Sequence, residues 1–192
     1  MCSRFEVQTQ PASIQARFGV PIFALPNKAE VRPTDIGLVI GAEGGALQIW
    51  GLRPSWDGGG PLVNARCETL DQKPSFKELV NRRVLVPATA WWEWTRGPKG
   101  RPDQKMRLRL QDSDMFAFAG LTDGERFTIV TCDAVTEMAA MNDRMPVILP
   151  QQVWADWLSP AVPYDAVKEC LQSQSGLVIE PDGEAGPQLS LF

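Results

Sequence analysis

The sequence predicts a single α+β domain, in which a mostly antiparallel sheet curls into a β-barrel-like core with helices at its periphery. Two observations lead to this class. Short apolar segments typical of strands outnumber helical segments, and turns rich in Gly or Pro separate them. A chain of 192 residues with 44% hydrophobic content can also bury one substantial core. We expect the domain to span residues 1–180 and a flexible tail to span residues 181–192.

The individual elements follow from local patterns, in chain order. Residues 35–41 and 46–50 are apolar runs bounded by glycine, which predicts a hairpin. At residues 105–110, Met and Leu alternate with Lys and Arg, which indicates a strand with one basic face. Further strands are expected at residues 115–121, 126–132 and 145–149. Helices are expected at residues 12–18, 75–81, 134–141, 151–158 and 164–172, and surface loops at residues 57–61 and 96–103.

The composition excludes several classes of site. The chain contains no histidine, so Ser-His-Asp and Cys-His pairs and His-ligated zinc are excluded, and proton transfer falls to a carboxylate, an amine or water. The cysteines lack CxxC spacing, so we expect no metal or other cofactor, and we expect Cys67, Cys132 and Cys170 to be reduced structural thiols.

The charge and hydropathy limit the partners. The net charge of -4 argues against nonspecific coating of nucleic acid but allows a local basic groove. No apolar run is long enough to span a bilayer, and the polar residues 6–10 exclude a signal peptide. We therefore expect a cytoplasmic protein with no membrane partner.

Cys2 becomes the amino-terminal residue once Met1 is removed. A terminal cysteine carries an amine and a thiol on adjacent carbons, so it can form an imine with an aldehyde and then close a sulfur-containing ring. Reference pKa values of about 7.7–8.0 for the amine and about 8.5 for the thiol leave a usable fraction of each nucleophile at neutral pH, before the protein environment acts on them. The alternative is a chance cysteine beside the start.

Two segments combine arginine with aromatic or polar side chains. Trp50 and Trp56 bracket Arg53 on a turn, and such aromatic faces suit unpaired bases, at about 1–3 kcal/mol per stacking contact. The alternative is that both tryptophans are core residues. Asn64 suits orientation of a small polar group and Arg66 suits a phosphate, although a capped turn with a surface ion pair fits the same segment.

Two later segments place polar groups beside apolar strands. Glu93 lies between two tryptophans, where desolvation would raise the pKa of its carboxyl towards the range of a general acid or base; strand alternation would instead turn it to solvent. Arg144 lies at the start of a buried strand and suits a phosphate contact, while residues 142–143 equally suit a helix cap and turn.

In order and spacing over about residues 1–160, these motifs resemble the SOS response-associated peptidase (SRAP) family. The matching residues are Cys2, the turn between Trp50 and Trp56, Asn64, Ala65, Arg66, Glu68, Thr69 and residues 92–94, 119–121, 131–134 and 144–147. The resemblance implies a compact β-barrel-like fold, a positively charged groove for single-stranded DNA, and self-removal of Met1. It further implies capture of an abasic-site aldehyde on Cys2 as a thiazolidine crosslink, in the response to DNA damage.

The resemblance also implies roles for individual residues. Asn64 would position the terminus and the opened sugar, and Glu93 would be the acid–base. The residues expected to contact DNA are Arg4, Trp50, Arg53, Trp56, Arg66 and Arg144. Two positions depart from the family: Ser3 follows the nucleophile in place of glycine, and Asn142 stands in the place of the active-site histidine. Because asparagine cannot carry a proton near pH 7, we expect slower ring opening, imine formation or crosslink reversal.

The last five residues, Gln188, Leu189, Ser190, Leu191 and Phe192, resemble the pentapeptide with which bacterial replication and repair proteins bind the sliding clamp. The apolar side chains would fill pockets while Gln188 binds backbone groups; a tail packed on its own domain is the alternative. We therefore expect a monomeric crosslinking enzyme that acts on abasic sites. A noncovalent single-stranded DNA-binding module and a self-processing cysteine peptidase without a DNA role stay open as alternatives.

Overall fold

The protein is described by a computed structural model that covers residues 2–22, 24–26, 28–55 and 58–183. Within these ranges, every helix is too short or too polar to cross a membrane. Twelve strands are present in the described ranges. They are β1 Phe5–Glu6, β2 Glu30–Val31, β3 Ile36–Gly41, β4 Gly44–Trp50, β5 Asn64–Arg66, β6 Arg83–Ala88, β7 Ala90–Arg96, β8 Pro102–Leu110, β9 Phe116–Thr122, β10 Arg126–Asp133, β11 Arg144–Pro146 and β12 Leu177–Pro181. The α-helices are α1 Pro11–Phe18, α2 Trp154–Leu158 and α3 Tyr164–Val167.

Five of the strands close into a barrel. The order β10-β4-β3-β6-β9 returns to β10, because β10 pairs with β9 as well as with β4. The β10–β4 pairing is parallel and the other four are antiparallel. Beyond β4 and β9, the far half of β10 pairs with β5 and β11. The prediction of a mostly antiparallel, barrel-like α+β fold is confirmed.

A second sheet has the order β12-β8-β7-β1-β2, with every pairing antiparallel. Strand β1, next to the central strand β7, sends Phe5 into the core, where the ring meets Trp50 of β4 at 5.1 Å and Phe118 of β9 at 6.0 Å between centroids. Trp91 of β7 reaches the same Phe118 ring at 5.9 Å. These edge-on aromatic contacts join the second sheet to the barrel, and they anchor the strand that begins three residues after Cys2.

Most predicted strands are present. The hairpin at residues 35–50 forms from β3 and β4 and turns at Gly44, whose φ of +124° disfavours residues with a side chain. The strand expected at residues 145–149 is only three residues long, and Ile148 beyond it makes a single bridge to Phe118. The helices at residues 12–18, 151–158 and 164–172 are present as α1, α2 and α3, the last two combined with 3₁₀ turns.

Two predicted helices are wrong. Residues 75–81 form consecutive turns, in which the Leu79 N–H donates to the Phe76 carbonyl at 2.8 Å and the Arg82 N–H donates to the Leu79 carbonyl at 2.8 Å. These bonds span three positions, whereas those of an α-helix span four. Residues 134–141 contain only the 3₁₀ helix Thr136–Met138. The next residues turn back towards β10, where the Ala134 N–H donates to the Asp143 carbonyl at 2.9 Å.

Candidate active site

The amino-terminal segment lies along β7 and carries Cys2 into the interior. β1 pairs with β7, and the Trp92 N–H donates to the Arg4 carbonyl at 3.0 Å just before β1 begins. Cys2 has no exposed surface, and its Sγ lies 3.8 Å from the Arg4 carbonyl oxygen. The predicted nucleophile is therefore held inside the fold in the chain that retains Met1.

Asn64 contacts Cys2 from the other side of the site. It lies on β5, where the parallel pairing with β10 aligns it with Ile129. Its Nδ2 donates to the Cys2 carbonyl at 2.7 Å. Its Oδ1 is buried and has no hydrogen-bond partner among the described residues. Because buried amide oxygens are rarely left without a donor, this atom marks a place where an incoming group can bind.

Glu93 is buried on β7, with 4% of its surface exposed. The alternative that strand alternation turns it to solvent is wrong, because the neighbouring Trp92 is 5% exposed and both faces of β7 are covered at this point. Burial raises the pKa of the Glu93 carboxyl, although the hydrogen bond from Asn142 acts in the opposite direction. A raised pKa keeps a proton on the carboxyl closer to neutral pH, as general acid catalysis requires.

Asn142 joins Glu93 from the turn before β11. Its Nδ2 donates to Glu93 Oε2 at 3.3 Å, and its Oδ1 accepts the Arg144 N–H at 3.4 Å. Its own N–H donates to the Met138 carbonyl at 3.0 Å. The helix-cap alternative for residues 142–143 therefore does not describe the Asn142 side chain, which is directed at the carboxylate.

The Cys2 thiol is less acidic than a free cysteine. Burial, and after it the negative charge of Glu93, raises its pKa far above the usual range. The reference value used in the sequence analysis therefore does not apply, and the thiol is protonated at neutral pH. Burial also raises the pKa of Cys67 to about 11 and of Cys132 to about 12, and both thiols are free, as a structural role requires.

The arginines predicted to bind phosphate differ in their availability. Arg66 is exposed on β5, two residues from Asn64 and on the same face of the strand. Arg53 is also exposed, and among the described residues no hydrogen bond or ion pair occupies either side chain. Arg4 is half-buried, with its guanidinium 5.3 Å from the centre of the Trp94 ring and 3.5 Å from Glu30. Phosphate binding by these three residues stays a prediction.

Arg144 is placed differently from the prediction. Its side chain is 9% exposed, and its terminal nitrogens bind Glu68 at 2.7 and 2.9 Å, Asp133 at 2.6 Å and the Thr131 carbonyl at 2.8 Å. The prediction of a phosphate contact is wrong for this arrangement, because protein oxygens already occupy both terminal nitrogens. Arg144 instead joins β10, β11 and the 3₁₀ helix Cys67–Thr69.

The tryptophan pair is also corrected. Trp50 has no exposed surface, and its Nε1 donates to the Val63 carbonyl at 2.8 Å while its ring packs on Phe5 and Phe127. A base cannot stack on a ring in the core, so the prediction that Trp50 contacts DNA is wrong. Trp56 lies outside the described residues.

The residues that hold Arg144 were missed in the sequence analysis. A surface ion pair was the alternative reading of the Asn64 segment, and Glu68 does form an ion pair, but with an arginine 76 positions away. Asp133 carried no signal, since a carboxylate after a strand is ordinary at a protein surface. Only the fold brings these carboxylates together.

The Glu93–Asn142 pair opens onto a pocket of about 260 Å³. The pocket is lined by Glu93, Trp94, Thr95, Arg96, Gly100, Pro102, Met141 and Asn142. A buried carboxyl beside an amide, at the edge of a pocket and next to a cysteine, can deliver a proton to a small polar group while the amide holds that group in place.

Known proteins resemble this chain over nearly its whole length. Abasic site processing protein YoqW of Bacillus subtilis is 34% identical over 224 aligned positions, which cover 98% of each chain. Abasic site processing protein YoaM of the same organism is 30% identical, with 98% of this chain and 97% of the relative covered. A crystal structure of a protein from Bacteroides thetaiotaomicron superimposes with a TM-score of 0.81 at 22% identity, covering 94% of this chain and 91% of the other, and supports the fold.

The family assignment rests on a match to a family model. The family model described as SOS response associated peptidase (SRAP) matches residues 1–181, which include every residue of the site built above and end at the last residue of β12. The chain therefore belongs to the SOS response associated peptidase (SRAP) family.

Proposed function

We propose that this protein captures abasic sites in single-stranded DNA by forming a covalent bond through Cys2, after Met1 has been removed. The observation that carries the proposal is that two hydrogen-bonded pairs, Asn64 with Cys2 and Asn142 with Glu93, lie close together. The charge of Glu93 is near enough to contribute to the raised pKa of the Cys2 thiol. The names of relatives at 30–34% identity, abasic site processing proteins, support DNA processing as the activity.

The chemistry uses the two nucleophiles of a terminal cysteine. Hydrolysis of the Met1–Cys2 peptide bond consumes one water and frees the Cys2 amine. The amine then adds to the aldehyde of the opened sugar, and loss of one water gives an imine. Addition of the thiol to the imine carbon forms the C–S bond and closes the thiazolidine, while the thiol proton is transferred to the ring nitrogen. No cofactor enters the balance.

The surrounding groups fit these proton transfers. Glu93, with its raised pKa, can donate a proton to the departing hydroxyl and can carry the thiol proton to nitrogen. Asn64 holds the Cys2 carbonyl and offers its free Oδ1 to a sugar hydroxyl. Asn142 can hydrogen-bond the substrate but cannot relay a proton, so the family histidine's role falls to Glu93 and water, and we expect attenuated turnover.

The test is a denaturing gel with an abasic oligonucleotide, followed by mass spectrometry of the protein. Wild type should lack Met1 and should form an adduct that resists denaturation. Cys2→Ala should lose the stable adduct, since only a reversible imine through its terminal amine remains available. Cys170→Ala removes a half-buried thiol elsewhere and should behave as wild type. An equally stable adduct in Cys2→Ala would contradict the thiazolidine mechanism.

A noncovalent single-stranded DNA-binding module is the second candidate, favoured by Asn142 and by the high pKa of the buried Cys2 thiol. The same samples distinguish the two functions. Retained affinity for abasic DNA with no adduct in wild type, and with Met1 still present, would select the noncovalent function.

A further inference from the structure

Arg96 binds the turn that carries Asn142 at three points. It is the last residue of β7, three positions after Glu93. Its backbone N–H donates to the Ala140 carbonyl at 3.0 Å, and its Nε donates to the Met141 carbonyl at 3.1 Å. Its Nη2 lies 3.5 Å from Asp143 Oδ1. Arg96 therefore contacts residues on both sides of Asn142.

The hydrogen bond between Asn142 and Glu93 depends on the position of this turn. The Asn142–Glu93 hydrogen bond is 3.3 Å long, near the upper limit for such bonds, so a small displacement of the turn would break it. The pairing of β7 with β8 shifts register between Trp94 and Arg96, and a bulge of this kind redirects the side chains that follow it. Glu93 and Arg96 thus leave the same strand but both meet the turn at residues 140–143.

We propose that Arg96 is a positioning residue that holds the Asn142 amide against the Glu93 carboxylate. The kinetic test of this inference rests on the proposed function, because the position of Asn142 can change the crosslinking rate only if Glu93 takes part in the reaction. Arg96 acts through the turn and need not touch the substrate. The competing role is a phosphate contact, since the Arg96 side chain is 54% exposed.

A double-mutant cycle separates these roles. Arg96→Met and Asn142→Ala should each slow single-turnover crosslinking by about 10- to 100-fold, the effect expected when a reacting group is displaced by about 1 Å. The double variant should be no slower than Asn142→Ala alone, because both substitutions remove the same contact. Arg96→Lys, which keeps the charge and a donor, should recover part of the rate.

Arg101→Met is the matched control. Arg101 is exposed at the other end of the same loop, and among the described residues its side chain makes no hydrogen bond or ion pair. Its removal takes away the same charge without touching the turn, so crosslinking should be unchanged. Two results together would overturn the proposal: Arg96→Met weakens DNA binding and lowers its salt dependence, and the rate loss in the double variant equals the product of the losses in the single variants. Arg96 would then be a phosphate contact.

A second measurement does not require DNA or activity. The side-chain amide of Asn142, assigned in ¹⁵N NMR spectra by comparison with Asn142→Ala, should shift in Arg96→Met and keep its position in Arg101→Met. If wild type forms no crosslink, the proposed function fails while this shift still supports positioning by Arg96. An unmoved Asn142 amide in a folded Arg96→Met protein would overturn the proposal even if crosslinking slows.

Discussion

At the scale of single residues, Glu93 is a buried carboxyl whose protonation is coupled to the stability of the fold. Folding raises the pKa of this carboxyl through burial. A carboxyl with a raised folded pKa lowers the stability of the native state at pH values above its unfolded pKa. This loss shrinks as pH falls below the folded pKa and is gone below the unfolded pKa.

Glu93→Gln should separate the two effects. The amide keeps an acceptor for the Asn142 side chain and removes the buried charge, so thermal stability at pH 7.5 should equal or exceed that of wild type, with the difference shrinking at about pH 4.5. Removal of Met1 or crosslink turnover should slow by about 10²- to 10⁴-fold. Thermal melts at both pH values and single-turnover assays check this. Unchanged rates together with lower stability at pH 7.5 would return Glu93 to a structural role.

Asn142→His should give the site a group that titrates. An imidazole has a reference pKa of about 6.5, and at this position it would lie beside Glu93 Oε2, which the Asn142 amide now contacts. Crosslink formation, reversal or both should accelerate and follow the titration of the imidazole, while noncovalent DNA affinity changes little. Single-turnover kinetics from about pH 5.5 to 8.5 provide the measurement. Superimposable profiles would mean that Glu93 and water already carry every proton transfer.

The types of residue in the site could be predicted from the sequence, but their contacts could not. Cys2 and Asn64 are 62 positions apart and Asn142 and Glu93 are 49 apart, so no local pattern reports that they meet. Trp50 illustrates the opposite error. Aromatic rings beside arginine look alike in a sequence whether they stack on a ligand or on Phe5, and only burial distinguishes the two.

At the scale of elements, strands were predicted better than helices for a physical reason. Apolar runs between glycines must be buried, and the barrel buries them as strands whichever neighbouring strand each one pairs with. The turns at residues 75–81 are instead closed by bonds three positions apart, such as that from the Leu79 N–H to the Phe76 carbonyl at 2.8 Å. The spacing of apolar residues does not distinguish such turns from an α-helix, since three- and four-residue spacings place side chains on similar faces.

Arg144 and Arg66 should show opposite phenotypes. Arg144→Met removes the link between β10, β11 and the Glu68 segment, so the free energy of unfolding should fall by about 1–3 kcal/mol with little change in the salt dependence of DNA binding. Arg66→Met should leave stability unchanged and lower the slope of log K against log salt by about 0.7, as for one phosphate contact on a single strand. Denaturant titrations and binding isotherms at several salt concentrations test both. A reduced slope in Arg144→Met at unchanged stability would restore its phosphate role.

At the scale of the whole molecule, ion pairs on the second sheet neutralise the basic side chains of β8. Arg107 binds Glu6 and Glu180, and Lys105 binds Asp182 at 2.5 Å. These cations are neutralised by their own carboxylates, whereas Arg66 is not. The net charge of -4 therefore says little about the site, because Arg66, which carries no ion pair among the described residues, lies on β5 two residues from Asn64, which contacts Cys2.

The last described strand is held on the second sheet by backbone pairing and an ion pair. β12 pairs with β8 as far as Pro181, and the Asp182 carboxylate accepts from the Lys105 ammonium. The predicted clamp-binding residues 188–192 lie outside the described residues. If residues 181–192 form the flexible tail that the sequence predicts, clamp binding by that tail would raise the local concentration of the protein without affecting the chemistry.

Deleting residues 188–192 should therefore abolish binding to a bacterial sliding clamp and leave crosslinking of abasic DNA in solution at the wild-type rate. The reason is that every contact of the site, from Cys2 to Asn142, involves residues before the tail. A titration of labelled clamp with full-length and truncated protein measures the first effect, and the denaturing gel measures the second. Phe192→Ala, which keeps the length of the tail, should weaken clamp binding as well if the apolar end fills a pocket. Full clamp affinity in the truncated protein would show that recruitment, if it occurs, uses the folded domain.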